Sequence, residues 1–400
     1  MREGKKILPG DALTAEERLR RVIRLQVPDR VPVAPLIYYF NAHYNGLTYA
    51  ELYEARKYYQ GLSRIYKELG RCDLYYHINV YHPEMLVFFW PMKSLEPGRQ
   101  LPPDVTRQFV EEESMRKEDY DWLEEWGRKF PIASFFVLMG RLLPRMWDTV
   151  PEGAMAYASI TSLMAKTLAL KIVEYERIKR EGMAIICSTG VEAGFDTFSM
   201  SRGLINFVRD SRAFPEKIQR GADALTESFL FYFKWLCRIT GIPRVMLALH
   251  RSSNDFISPA MFSRLSLPGI RDLVEALASC GIDTILHCDG NWDGNLEALR
   301  QLPAGRTVMQ CDGATDIFKA KEIVGDRICI MGDVPAGMLV LSSASEVDEY
   351  CHRLIEEVGR GGGFILGSGC EIPPDTKPEN LKAMLESVGK YGYYAQGNPD

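Results

Sequence analysis

The sequence predicts an α/β protein built around eight parallel strands, and three observations carry that expectation. Eight short apolar runs recur: Val31 to Tyr39, Asp73 to Tyr81, Met183 to Thr189, Arg244 to His250, Asp283 to Cys288, Arg306 to Cys311, Arg327 to Met331 and Gly363 to Gly367. Helical spacing fills the intervals between them. Several runs end in His, Asp, Cys or Glu, the residue types that act at strand ends in α/β enzymes. A (β/α)8 barrel and a doubly wound sheet share this alternation, and periodicity does not choose between them.

The elements follow in order. Thr14-Ala15-Glu16-Glu17 matches a capping box, and Leu19, Val22, Ile23 and Leu25 continue a helix to Gln26. Pro28-Asp29-Arg30 ends it, and the prolines of the first apolar run place that strand at the edge of regular hydrogen bonding. Leu47 to Leu69 reads as the first crossover helix. Later helices are expected over Ala213 to Thr240, Pro259 to Ser279, Asn295 to Leu302, Asp316 to Val324 and Ala344 to Gly359. The second and third strands are separated by an insertion, about 83–182, against a usual handful of residues. Its middle is aromatic (Tyr120, Trp122, Trp126, Phe130, Phe135, Phe136, Trp147), and Ala154 to Arg180 reads as one long helix. A lid over the barrel mouth and an oligomer interface are both open uses for it. Residues 1–400 are read as a single barrel domain with this insertion.

Charged residues make up 25% of the chain, the net charge is -5, and no basic block occurs, which argues against nucleic acid as a partner. The absence of a long uninterrupted apolar stretch and of a signal-peptide pattern leads to the expectation of a soluble, cytoplasmic protein. Nine cysteines without paired short spacing argue against a disulfide framework. Cys187, Cys311 and Cys329 lie in apolar runs, whereas Cys288 and Cys370 stand at strand ends beside polar residues.

The chemistry concentrates in two stretches. Thr284-Ile285-Leu286-His287-Cys288-Asp289-Gly290-Asn291 and Phe364-Ile365-Leu366-Gly367-Ser368-Gly369-Cys370-Glu371 are both strands that end in metal-grade ligands. On a barrel rim, His287, Asp289 and Cys370 would converge on one ion; imidazole, carboxylate and thiolate suit zinc and leave a position for substrate. Asp289 could instead cap the following helix, and Cys288 alternates to the opposite face. Asp312, Asp333 and Glu371 complete an acidic rim, although Asp312-Gly313 and Gly332-Asp333 also fit ordinary turns. His287, Asp289, Asp312 and Glu371 are therefore the candidate catalytic groups. Tyr38, Tyr39, Asn79, Tyr81, His82, His250 and Asp333 are the candidate substrate-binding groups. His43, just after the first strand, could reach the same cavity.

These residues resemble the uroporphyrinogen decarboxylase superfamily, and within it the corrinoid-linked methyltransferases of the methylcobamide:coenzyme M type. The resemblance rests on Glu16-Glu17-Arg18 through Pro28-Asp29-Arg30-Val31-Pro32-Val33, Ile257-Ser258-Pro259, Ile285-Leu286-His287 with Gly290-Asn291, Met331-Gly332-Asp333-Val334-Pro335, and Gly367-Ser368-Gly369-Cys370-Glu371 through Asn380, the last being the most specific. It favours the barrel over the doubly wound sheet. It also implies zinc bound by a His-x-Cys element and a distant cysteine, with methyl transfer to or from a corrinoid carried by a partner protein. His287 and Cys370 fall on two of those positions, and Asp289 replaces the first cysteine. A carboxylate is a harder ligand, so the metal would be suited to polarising an oxygen-bearing methyl donor. In the decarboxylase branch, an arginine-rich element after the first strand grips propionates; here the chain reads Tyr38-Tyr39-Phe40-Asn41-Ala42-His43. The expected function is a methyltransferase of a corrinoid-dependent demethylation system acting on a small, apolar or aromatic substrate. The alternatives are a metal-independent lyase using Asp289 or Asp312, and a non-catalytic module that holds a corrinoid or tetrapyrrole. A homo-oligomer is compatible with all three.

Overall fold

A computed structural model describes residues 7–76, 81–127 and 129–394. Seven strands form one parallel sheet in the spatial order Val33–Ala34, Phe364–Ser368, Cys329–Val334, Thr307–Cys311, Asp283–Cys288, Arg244–Leu249 and Gly190–Glu192. Leu74–Tyr75 and Ala184–Ile185 pair in parallel beside it. Asp73 N donates to Val33 O at 3.1 Å, and Ser188 N to Arg244 O at 2.8 Å, so backbone bonds connect this pair to the sheet on both sides. Each of the eight apolar runs thus supplies a strand to a TIM-barrel-like α/β fold, the third giving Ala184–Ile185 and being followed, just past its expected end, by Gly190–Glu192.

The first runs are shorter as strands than expected. Pro32 and Pro35 carry no N–H, so the first ladder is confined to Val33–Ala34, and Tyr39 opens the helix Tyr39–Asn45 instead of ending a strand. Part of the second run, including Asn79, lies outside the described residues. The helix expected over Ala213 to Thr240 is present as Pro215–Thr240, with Pro215 in its first turn, and a separate helix, Leu204–Ala213, precedes it. Pro268 likewise removes a helical donor, and Pro259 to Ser279 is interrupted by a wide turn over Phe262–Ser266. The helix Gly194–Arg202 and the antiparallel pair Lys93–Leu95 and Gln108–Val110 were not anticipated from the sequence.

The strand period of two divides the core. Inward-facing Ala34, Leu36, Ile186, Met246, Ile285, Val308, Met331 and Ile365 pack with Ala15, Leu19, Val22 and Ile23 of the first helix, which seals the N-terminal end. That helix begins at the expected capping box, with Thr14 Oγ1 accepting from Glu17 N. Outward-facing Leu247, Leu286, Met309, Ile330 and Leu366 pack against the helices. The apolar seal at one end leaves the C-terminal end as the place for a cavity.

In the insertion, Ala154–Arg180 is one helix, packed on Pro131–Met146. By length and composition it is apolar enough to cross a bilayer, although Lys166, Lys171 and Glu174 interrupt its apolar residues. It nevertheless carries the buried ion pair Lys171–Glu174 toward the protein.

Beneath the barrel, Asp73 is fully buried and accepts from Arg18 Nη1 (3.0 Å), from Arg30 Nη1 and Nη2 (2.6 Å each) and from Val33 N (3.0 Å). Arg18 also meets Asp29 and Asp11, at 2.7 and 2.9 Å. Burial pushes the Asp29 carboxyl up, but the Arg18 guanidinium outweighs this and holds it at about 2. The resulting network ties the first helix, the first strand and the second strand together. Asp73→Ala would remove the carboxylate that two buried guanidiniums share, leaving them only Asp11 and Asp29, and is expected to cost about 3–5 kcal/mol in urea unfolding; a loss below about 1 kcal/mol would contradict this role.

Candidate active site

Parallel register builds the site. Glu192 pairs with Ala248, Ala248 with His287, and His287 with Gln310, so four residues on neighbouring strands share one level. His250 and Asp289 lie two residues further along the two central strands of this row. Ala248 is small and leaves room between Glu192 and His287.

His287 Nδ1 lies 2.8 Å from Gln310 Oε1, which also accepts from Tyr76 OH. With Gln310 as acceptor, His287 carries its proton on Nδ1 and turns Nε2 to the cleft. There Nε2 meets Asp289 Oδ1 at 3.1 Å and Cys370 Sγ at 3.9 Å. His250 repeats the pattern: Nδ1 contacts the fully buried Glu192 Oε1 at 2.7 Å, and Nε2 faces Asp289 Oδ2 at 3.3 Å. One ligand atom from each of His250, His287 and Asp289 lies within 4.8 Å of the other two.

The electrostatics follow from burial opposed by pairing. Burial pushes His287 and His250 down; the Asp289 carboxylate more than offsets this for His287, and Glu192 followed by Asp289 does so for His250. Both imidazoles are raised. Asp289 is pushed up by burial, but the two imidazoles hold it well below the usual range. Burial raises Glu192 despite His250.

The turn after Asp289 is braced. Asp312 accepts from Gly290 N at 2.7 Å and Ala314 N at 2.9 Å, and Thr315 Oγ1 donates to Gly290 O. Gly290 has φ +80, and an added Cβ would stand 2.4 Å from Asp255 Oδ2, so glycine is required there.

The cleft opens into a cavity of about 640 Å³ whose largely apolar walls include Phe88, Phe89, Trp90, Phe109 and Tyr232. Trp90 lies on His250 with ring centroids 4.0 Å apart and stacks on Phe109 at 4.4 Å. Tyr38, Tyr39, His250, His287, Asp289, Cys370 and Glu371 all line this cavity. Glu371 accepts from Tyr39 N at 2.9 Å, and burial pushes its carboxyl up to about 7.

Other sequence candidates lie elsewhere. Asp312 is outside the lining and serves as the brace just described, while Cys288 faces the helices as its alternation implied. Tyr81 donates to Glu174, His82 precedes a short 3-10 turn, and His43 is exposed on its helix. Asp333 accepts from Tyr350 OH at 2.8 Å instead of facing the cavity. His250, read as a pocket residue, joins the donor cluster, and Cys370 borders it at His287. Glu192, Gln310, Tyr76, Trp90 and Arg107 were missed. The first two were detectable as lone polar residues at inward positions of the apolar stretches Gly190-Val191-Glu192-Ala193 and Val308-Met309-Gln310-Cys311.

The uroporphyrinogen decarboxylase (URO-D) family model matches residues 169–391, more than half of the sequence, and the chain belongs to that family. Curated uroporphyrinogen decarboxylases from Methylococcus capsulatus and Syntrophotalea carbinolica are 31% identical over 102 residues and 26% identical over 174. These alignments cover 26% and 44% of this chain, and 27% and 49% of the relatives, so under half of each relative is spanned. A solved methyltransferase from Methanosarcina mazei matches over 95% of this chain and 99% of its own, with TM-score 0.68 and 17% identity, which shows a shared fold.

Burial pushes the Asp333 carboxyl up to about 6 despite its bond from Tyr350. A carboxyl raised on folding adds stability when protonated, and that contribution is lost as pH rises from about 4 through 6. Asp333→Asn keeps an acceptor for Tyr350 without the charge. It is expected to be more stable relative to wild type at pH 8 than at pH 4, by up to about 3 kcal/mol in paired urea titrations. A pH-independent difference would contradict this.

Proposed function

We propose that this protein is a zinc-dependent methyltransferase that moves a methyl group between a small oxygen-bearing donor and a corrinoid carried by a partner protein. The observation that carries this reading is the convergence of His250 Nε2, His287 Nε2 and the Asp289 carboxylate at the floor of an aromatic cavity. The donor set fits a zinc ion: two imidazoles and a carboxylate leave a fourth position open, and each Asp289 oxygen lies within 3.3 Å of one of the two Nε2 atoms. A bound zinc ion would supply Lewis acidity toward the donor oxygen.

The protein's own groups do the rest. Glu192 and Gln310 anchor the far nitrogens of the two imidazoles, which fixes their tautomers and aims both Nε2 atoms. Asp312 and Gly290 hold the turn that presents Asp289. Trp90, Phe109 and Tyr39 enclose an apolar ligand and exclude water from the reacting end.

The lyase reading is less well matched. The cavity's two strong cations, Arg107 and Lys171, are paired with Glu96 and Glu174, so a ligand bearing many carboxylates finds few free partners.

Protein purified from zinc-replete cells is expected to hold about one zinc per chain. His287→Ala and Asp289→Ala should each lose it while keeping the wild-type circular dichroism spectrum, and Glu192→Gln should weaken affinity by about 10–100-fold. Zinc-free, well-folded wild type would overturn the reading. A screen of methyl donors with reduced cobalamin should then give turnover that chelation abolishes; chelator-resistant turnover would favour the lyase.

A further inference from the structure

A second polar group faces the same cavity and takes no part in the cluster above. Arg107 lies between the strands of the insertion's antiparallel pair and contributes to the lining, as does Tyr38. Its Nε donates to both oxygens of the fully buried Glu96, at 2.8 and 2.9 Å, and its backbone N donates to Tyr39 OH at 3.0 Å. Glu96 also accepts from Ser94 Oγ at 2.6 Å and from Tyr53 OH, so its oxygens are fully engaged. Arg107 Nη2 is left with no hydrogen-bond partner among the described residues, although its side chain is only 10% exposed. Tyr38, 2% exposed, has its hydroxyl in the same condition.

Two buried donors without partners, on residues that line one cavity, form a costly arrangement unless a ligand supplies acceptors. The Glu96 pairing neutralises much of the guanidinium charge, so recognition here depends on matching donors to acceptors more than on net attraction. A carboxylate offers two acceptor oxygens and no donor. A primary amide offers one of each, and its N–H₂ would meet another donor.

The subsite is adjacent to the donor cluster. Glu371, which bonds Tyr39 N, follows directly on Cys370, which stands beside His287. Between the two lie the aromatic walls. We infer that Arg107 Nη2 and Tyr38 OH form a carboxylate subsite, and that the ligand of this cavity is an aromatic acid whose ring spans from the subsite to the His250–His287–Asp289 cleft. The inference rests on the proposed function for what happens at the far end of the ring, but not for the binding itself.

The test uses benzoate and benzamide as probes in isothermal titration of the full chain, with quenching of indole fluorescence as a second readout because Trp90 lines the cavity. Wild type should bind benzoate at least about 10-fold more tightly than benzamide. Arg107→Met should remove that preference. Because Arg107→Met leaves the Glu96 carboxylate buried and could unfold the protein, Tyr38→Phe is measured beside it; it retains the ring and should lower benzoate affinity about 3–10-fold with little change for benzamide. Equal affinities in wild type, no benzoate binding, or an unchanged preference in Tyr38→Phe would overturn the subsite. The preference should persist in His287→Ala, which lacks the proposed metal site. A zinc-free wild type that still prefers benzoate defeats the methyltransferase reading alone, and a zinc-loaded wild type without the preference defeats the subsite alone.

Discussion

The site depends on the parallel register of four neighbouring strands. Because Glu192, Ala248, His287 and Gln310 stand at one level, with His250 and Asp289 above, each imidazole has an anchoring acceptor on a neighbouring strand and a shared carboxylate on the cavity side. A slip of one residue would turn these side chains out among the helices, where Leu247, Leu286, Cys288 and Met309 now pack. Fold and chemistry therefore share one constraint. The apolar alternation that forces the register is the same alternation that aims the clustered imidazoles and carboxylate.

The barrel's two ends solve opposite problems. At the N-terminal end, the first helix fills the interior with leucine, valine and isoleucine, and a buried ion network joins it to the strands beneath. At the C-terminal end, the inward positions become polar, and their charges are compensated in pairs: Asp289 with two imidazoles, Glu192 with His250, Arg107 with Glu96. Buried charges persist when paired in this way, and each pairing leaves one face of a group free for a ligand. The cavity is thus polar on its floor and at one wall, and aromatic between.

Much of this was legible beforehand. The eight apolar runs, the capping box at Thr14 and the long helix Ala154–Arg180 follow from local patterns, and each is present. The strand Asp283–Cys288 has the expected bounds, because a β-branched and leucine run between turn residues leaves little freedom. Where prolines intervened, at Pro32, Pro35 and Pro268, the elements break or shorten for want of a donor. Family membership supports the resemblance read from the motifs.

What the sequence by itself determined was the strand ends that carry His287 and Asp289 and the period that turns them inward: the two share a face because they are two apart on a strand. It could not determine which distant groups complete them. Glu192, Gln310 and Tyr76 are single polar residues in apolar stretches, and their partners are 23 to 234 residues away in the chain. The assignment of Asp312 and Asp333 away from the cavity was decided by the bonds each accepts, from Gly290 N and Tyr350 OH. The place of Arg107 was set by the folding of the insertion against the barrel mouth. Contacts of this kind depend on packing between elements, and only the tertiary structure brings them together.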